Sequence, residues 1–274
     1  MTKYIILPAS EKLGSANMKN ELFKSTNIII TNNFIKDSNS VYLVVKTYSD
    51  KYGKIIKNLK KNNNKFIYYP IDFQWNCNKN KYIKKMNNIF INFDHVIFNS
   101  KQHQNFFNLK NSSIIHHEYD NRFKISKINV DFIQYIGLDI KCSIDQKTYD
   151  KFDIKVIDKN IFNSAQTGIH IDYLKNDNLY YYIHTSTKLS TALSLNSVFI
   201  CNRLPIYEEL LGPNYELYIN DDLSNLKDII KKSKQIISNE DKYNEYLTKT
   251  KNVKIQLSPS NILNKFIKLL DKFN

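Results

Sequence analysis

Glycine is nearly missing from this chain of 274 residues: Gly14, Gly53, Gly137, Gly168 and Gly212 are all it has. Ordinary usage of about 7% would supply about four times as many. Those retained in so glycine-poor a chain are expected where a side chain cannot fit, with Gly14, Gly137 and Gly212 flanking candidate strands. Arginine is scarcer still. Of 40 basic residues all but Arg122 and Arg203 are lysine, spread along the whole length among Asn, Ile and Tyr. The net charge of +14 therefore reads as a solvated lysine surface or an affinity for anionic small molecules. Readers of base edges favour the planar guanidinium, which puts a nucleic-acid module last. Cysteine is limited to Cys77, Cys142 and Cys201, far apart and in no CxxC pair, so neither a disulfide framework nor a zinc site is indicated. No apolar run approaches the ~20 residues of a membrane span, and the opening Met-Thr-Lys-Tyr-Ile-Ile-Leu-Pro is too short for a signal peptide. A cytoplasmic protein is expected, with peripheral membrane contact left open.

What is present is enough for a core, with 42% hydrophobic and 13% aromatic residues. The length accommodates two domains. Short β-branched runs alternate with helical spacing: strands are predicted at 3–7, 28–31, 41–46, 65–69, 95–99 and 113–116, and helices ending near Phe23 and over 51–60, 80–90 and 102–107. That alternation implies a mostly parallel sheet covered by helices. The polar run from Glu118 to Asn129 marks a boundary, after which the pattern restarts with strands at 131–136, 153–157, 169–173 and 180–183. The expected domains are residues 1–125 and 126–257. Leu223 to Ile237 is predicted helical, with Asp221 and Asp222 capping its start. Residues 258–274 form a last helix that can fold back on the first domain.

The segment from His184 to Tyr218 carries the most chemistry. A polar loop opens a helix over about 188–195, a buried strand follows from Ser197 to Cys201, then a Pro-started helix over 205–211 and a strand near 215–219. A loop at the carboxyl end of a strand and the start of a helix is where phosphate binds, through free N–H groups and the helix dipole. Ser186 and Thr187 add hydroxyls and Lys188 a full charge. No P-loop, GxGxxG or Ser-His-Asp order appears. In the first half, Asp72 follows a strand directly, beside Phe73 and the single tryptophan Trp75. Aromatic faces stack on sugars, and a carboxylate binds hydroxyls or accepts a proton; capping of the next turn by Asp72 is the alternative. His116 and His117 are adjacent and point to opposite sides of an extended chain, so His117 or its neighbour, not both, faces any cleft. His170 and His184 sit at strand edges of the second half, where either can contact a bound donor, and His184, directly before the phosphate-like loop, is the better placed.

The Ser186-Thr187-Lys188-Leu189 helix start, the strand that follows and the Pro205-Ile206-Tyr207-Glu208-Glu209-Leu210 turn resemble the C-terminal half of GT-B glycosyltransferases, near the retaining group 1 and group 4 branch. The resemblance runs from about 169 to 219. It implies two Rossmann-like α/β domains facing across a cleft, the second binding a nucleotide-diphosphate sugar and the first a glycan or glycoconjugate acceptor, without a bound metal or other cofactor. By that resemblance Ser186, Thr187 and Lys188 hold the phosphates, and Arg203 to Glu209, including Tyr207 and Glu208, line the nucleotide or sugar. With Asp72, Lys188 and Arg203 would carry the chemistry. Gly14, Gly137, His184 and His117 join Ser186, Thr187, Tyr207 and Glu208 as the substrate-binding set. One departure stands out: Ile183 and Thr191 occupy the positions of a glutamate pair usual in the family, and Asn196 and Val198 replace its usual Gly and Pro. Either Glu208 or Glu209 holds the ribose instead, or the chain is a catalytically silent glycan- or partner-binding protein.

Overall fold

The computed structural model describes residues 3–7, 14–24, 26–31, 33–46, 48, 50–71, 79–120, 123–136, 144–157, 164–175 and 183–273. They form two compact units: residues 1–116 with 262–274, and residues 117–261.

The first unit holds strands β1 (Lys3–Leu7), β2 (Ile29–Ile30), β3 (Ser40–Val45), β4 (Lys65–Tyr69), β5 (His95–Phe98) and β6 (Ser112–Ile114). They pair in the order β2-β1-β3-β4-β5-β6, and every pairing is parallel. Helices α1 (Gly14–Phe23), α2 (Asp50–Leu59), α3 (Lys79–Phe90) and α4 (Lys101–Phe107) alternate with them. A parallel sheet needs both faces covered, and all six residues of β3 are buried. Val41, Leu43 and Val45 join one core with Ile6, Ile67 and Ile97. The same core takes Ile262, Phe266, Leu269 and Leu270 from the last helix, α10 (Pro259–Leu270). The alternate residues of the strands are aromatic: Tyr42 stacks on Phe66 and Tyr68 on Phe93, each at 4.7 Å.

The second unit holds β7 (Ile133–Ile136), β8 (Ile154–Ile157), β9 (Ile169–Asp172), β10 (Val198–Asn202) and β11 (Tyr218–Ile219), in the order β11-β10-β9-β7-β8, again all parallel. Its helices are α5 (Gln146–Phe152), α6 (Thr187–Ser194), α7 (Pro205–Leu211), α8 (Leu226–Ser238) and α9 (Glu240–Gln256). Ile169, Ile171, Val198 and Ile200 face a core completed by Ile229, Ile230, Ile236, Tyr243 and Tyr246. Phe199 and Cys201 face the opposite way, against Leu189, Leu193, Tyr207 and Leu210.

Half of the eight non-glycine residues with positive φ among the described residues are asparagine. Asn39, Asn63, Asn108 and Asn196 all have positive φ, a conformation their short polar side chains tolerate. Asn196, where the resembled family has Gly, sits at φ 55°. Gly168 does need to be glycine: a Cβ there would lie 2.5 Å from the Phe132 carbonyl oxygen and 3.0 Å from that of Asn129.

Three local expectations change. The predicted strand over 180–183 lies outside the described residues except for Ile183, which is helical. Asp221 and Asp222 do not cap α8: Asp222 instead accepts the Ser224 N–H at 2.9 Å, Leu223 turns left-handed, and the helix begins only at Leu226. Helices α5 and α9 were not anticipated. The first is capped by Asp145, which accepts the Thr148 N–H at 2.9 Å; the second opens with Asn239 accepting from Lys242 at 3.0 Å.

Candidate functional site

Chain order fixes where a ligand crevice must open in the second unit. After β7 the chain runs to β8 on one side and then to β9 on the other, so the strand order reverses between β7 and β9. Open parallel sheets bind ligands outside the carboxyl ends of the strands at such a switch point. Those ends are Ile136 and Asp172.

Lys188 reaches one of them. It stands in the first turn of α6, its Nζ donates to the Ile136 carbonyl, and it lies 4.3 Å from the centre of the Tyr135 ring. Asp172 marks the other. His184 Nε2 lies 3.1 Å from Asp172 Oδ2 and 3.2 Å from the Tyr207 hydroxyl, and that hydroxyl donates to Asp172 Oδ2 at 2.5 Å. Asp172 and Tyr207 are buried, and the His184 side chain keeps 18% exposure. Burial alone would push the Asp172 carboxyl up. The charge and hydrogen bond of His184, then Lys188 and the Tyr207 hydroxyl, outweigh it and hold the group below the ordinary carboxylate range. Burial, then the Asp172 charge, pushes the Tyr207 phenol well up, so it remains a donor.

Strand alternation puts His170 on the same face as Asp172. It is fully buried, 5.8 Å from the Phe199 ring, and neither ring nitrogen has a hydrogen-bond partner among the described residues. Burial lowers its pKa to about 3, with Lys188 acting in the same direction and Asp172 opposing. It is a neutral imidazole beneath a charged cluster.

Lys188, His184 and Tyr207, read from the sequence as binding residues, thus come together with Asp172. The others lie elsewhere or are engaged. The Ser186 hydroxyl is fully buried, accepts the His117 N–H at 3.1 Å and donates to the His117 carbonyl at 3.0 Å. It satisfies the backbone of a buried segment, as any buried peptide group requires. The His117 ring is buried too, with Nδ1 3.1 Å from the Glu118 carbonyl. The Thr187 hydroxyl pairs with that of Thr185 at 2.6 Å. Arg203 donates to Glu208 at 3.1 Å and to the Pro213 carbonyl at 2.8 Å, and it stacks on Tyr218 at 4.6 Å. Gly14 opens α1 of the first unit. Asp72 and Gly137 lie outside the described residues, although Ile71, just before Asp72, is buried with φ 49°. A β-branched residue in that region is under strain. At the positions of the family's glutamate pair, Ile183 is buried and the Thr191 hydroxyl donates to the Thr187 carbonyl at 2.8 Å.

Sequence reasoning missed Asp172 and Tyr135, and set His170 second to His184 as a donor contact. A signal existed for Asp172: Ile169-His170-Ile171-Asp172 alternates apolar and polar within a strand that must be covered on both faces.

No protein-family model matches the chain, and no curated protein matches it. Solved structures do. Anabaena Alr3699/HepE in complex with UDP is similar over 99% of this chain and 100% of its own, with 9% identity and a TM-score of 0.63. The same protein with UDP and glucose gives 0.61. S. aureus TarM matches 86% of this chain and 56% of its own at 15% identity and a TM-score of 0.52. The N-terminal domain of Candida albicans trehalose-6-phosphate phosphatase matches 94% of this chain and 73% of its own at 10% identity and 0.50. At such identities the likeness is one of fold. The chain is α/β, with the two parallel-sheet, Rossmann-like domains of the GT-B architecture.

Proposed function

We propose that the protein is a glycosyltransferase that moves a sugar from a nucleotide-diphosphate donor to a hydroxyl of a glycan or glycoconjugate. The observation that carries this is the placement of Lys188: a cation in the first turn of an eight-residue helix, at the carboxyl end of the strand beside the switch point. Departure of a nucleoside diphosphate builds negative charge. A fixed cation and a helix N-terminus stabilise that charge more than they stabilise the ground state, which is what accelerates the step. The charge so supplied is the chain's own, in keeping with a metal-independent transfer; a retaining outcome is what the resemblance implies. UDP in complex with HepE, and glucose beside it, support a nucleoside diphosphate and a hexose as ligand classes. Asp72 is the carboxylate proposed for the acceptor, and Arg203 and Glu208 for the rim of the donor site.

A thermal-shift screen against UDP, GDP, CDP, ADP and dTDP tests the reading. A ligand held only by the folded state at 100 times its Kd stabilises by about 2.7 kcal/mol. One nucleotide is expected to raise the Tm of the wild type and not that of Lys188→Ala; no shift with any of them contradicts the proposal. A catalytically silent binding protein on the same scaffold is favoured by one observation, the apolar or engaged side chains at Ile183 and Thr191. Nucleotide binding without transfer to any acceptor or to water identifies it.

A further inference from the structure

We infer that His184 is a catalytic residue of this site, held by Asp172 and Tyr207 so that its Nδ1 donates a proton to the leaving phosphate oxygen of the donor. The inference rests on the nucleotide-sugar reading above and adds a role that the resemblance does not supply.

The hydrogen bonds fix the ring. Asp172 is ionised and can only accept, and its Oδ2 already takes the Tyr207 hydroxyl at 2.5 Å. The imidazole nitrogen 3.1 Å from the same oxygen must therefore carry a proton, which assigns the tautomer with hydrogen on Nε2. Nδ1 has no partner among the described residues. The side chain retains 18% exposure although both its partners are buried. An imidazole pinned through one nitrogen by a buried carboxylate, with the other left over, is the arrangement that orients a histidine for proton transfer. Its place in the chain, three residues ahead of α6, puts it close to the helix start that carries Lys188. The groups facing it are Asp172 from β9 and Tyr207 from α7. Lys188 and His170 also act on the Asp172 neighbourhood. With Nε2–H committed to Asp172, a proton taken up from solvent sits on Nδ1, the nitrogen from which it can pass to a phosphate oxygen.

In the step assigned to it, the bond from the anomeric carbon to the phosphate oxygen breaks and its electron pair stays on that oxygen. The oxygen takes the Nδ1 proton, the acceptor oxygen bonds to the anomeric carbon, and the acceptor proton passes to solvent. Solvent then reprotonates His184. No oxidant or metal enters the balance. Asp172 and Tyr207 are positioning residues.

The test uses the full chain with the nucleoside diphosphate found in the screen and its sugar donor, and reads binding and turnover separately against pH. His184→Gln is expected to keep the Kd for the nucleoside diphosphate within about threefold while kcat falls by about 10²–10⁴-fold, the usual worth of a positioned acid. In the wild type kcat falls on the alkaline side. Asp172→Asn moves that fall to lower pH, because the imidazolium loses its counter-charge, and Tyr207→Phe moves it less. An unchanged kcat and pH profile in folded His184→Gln overturns the role. Should that variant fail to fold, an alkaline limb that does not move in Tyr207→Phe and Asp172→Asn overturns it equally. Nucleotide binding by the wild type with either of these results overturns this role alone; no nucleotide binding overturns the functional reading and the role together.

Discussion

Acid should destabilise the first unit through one histidine. His103 lies in α4, fully buried, with its ring 4.9 Å from that of Phe98 and 5.8 Å from that of Phe107. Neither ring nitrogen has a hydrogen-bond partner among the described residues, and burial lowers its pKa from 6.5 to about 3. The folded state therefore refuses a proton that the unfolded chain accepts below pH 6.5. A group with a depressed folded pKa contributes its full stability above the unfolded pKa and loses it as pH falls toward the folded one. The window runs from pH 6.5 down to about 3, at about 1.4 kcal/mol per pH unit, so pH 5 costs about 2 kcal/mol. That is a large share of the 5–15 kcal/mol typical of a domain. Half-buried His95, whose pKa is lowered by burial and then by Lys272, adds in the same sense. Urea unfolding at pH 7.5, 6.5, 5.5 and 5.0, followed by tryptophan fluorescence and circular dichroism, measures it. The midpoint should hold between pH 7.5 and 6.5 and then fall. His103→Leu, which keeps an apolar side chain among Phe98 and Phe107, should remove about 1.4 kcal/mol per pH unit from the slope. A wild-type midpoint that is flat to pH 5, or an equal slope in the variant, refutes the reasoning.

Other outcomes follow from the same geometry. Gly168→Ala drives a methyl into the backbone carbonyls of Phe132 and Asn129, with an expected loss of about 1–3 kcal/mol in chemical denaturation. Asn196→Val places a β-branched residue at φ 55° and removes the acceptor of the Lys254 ammonium at 2.5 Å; about 1–3 kcal/mol is expected, against near-neutrality for Asn196→Gly. Asp172, held below its ordinary value despite burial, contributes stability that survives to pH 3.8 and is lost only below it. Asp172→Asn should thus flatten the acid limb below pH 3.8.

The strands were legible because buried parallel strands are written in β-branched and aromatic residues, as in Val41 to Val45 and Val198 to Cys201. Helix α9 was not: of its seventeen residues only Tyr243, Tyr246 and Thr250 are buried, too few to print a helical period among its lysines. The caps misled in both directions, since Asp145 does close a helix start while Asp222 serves a turn ahead of one. At the site, Lys188 could be read because a cation in a polar loop before an apolar helix has a local signature. Asp172 could not, because its partners His184 and Tyr207 stand 12 and 35 residues away and only the sheet brings them together. Ser186 shows the converse. A hydroxyl in the expected loop is turned to the His117 backbone by a demand that sequence spacing does not reveal.

The most direct test of the account is a crystal structure of the chain with the nucleoside diphosphate that binds it. The account predicts the diphosphate at the carboxyl ends of β7 and β9, with an oxygen within about 3 Å of Lys188 Nζ. Phosphates bound away from Lys188 and the start of α6 would contradict it.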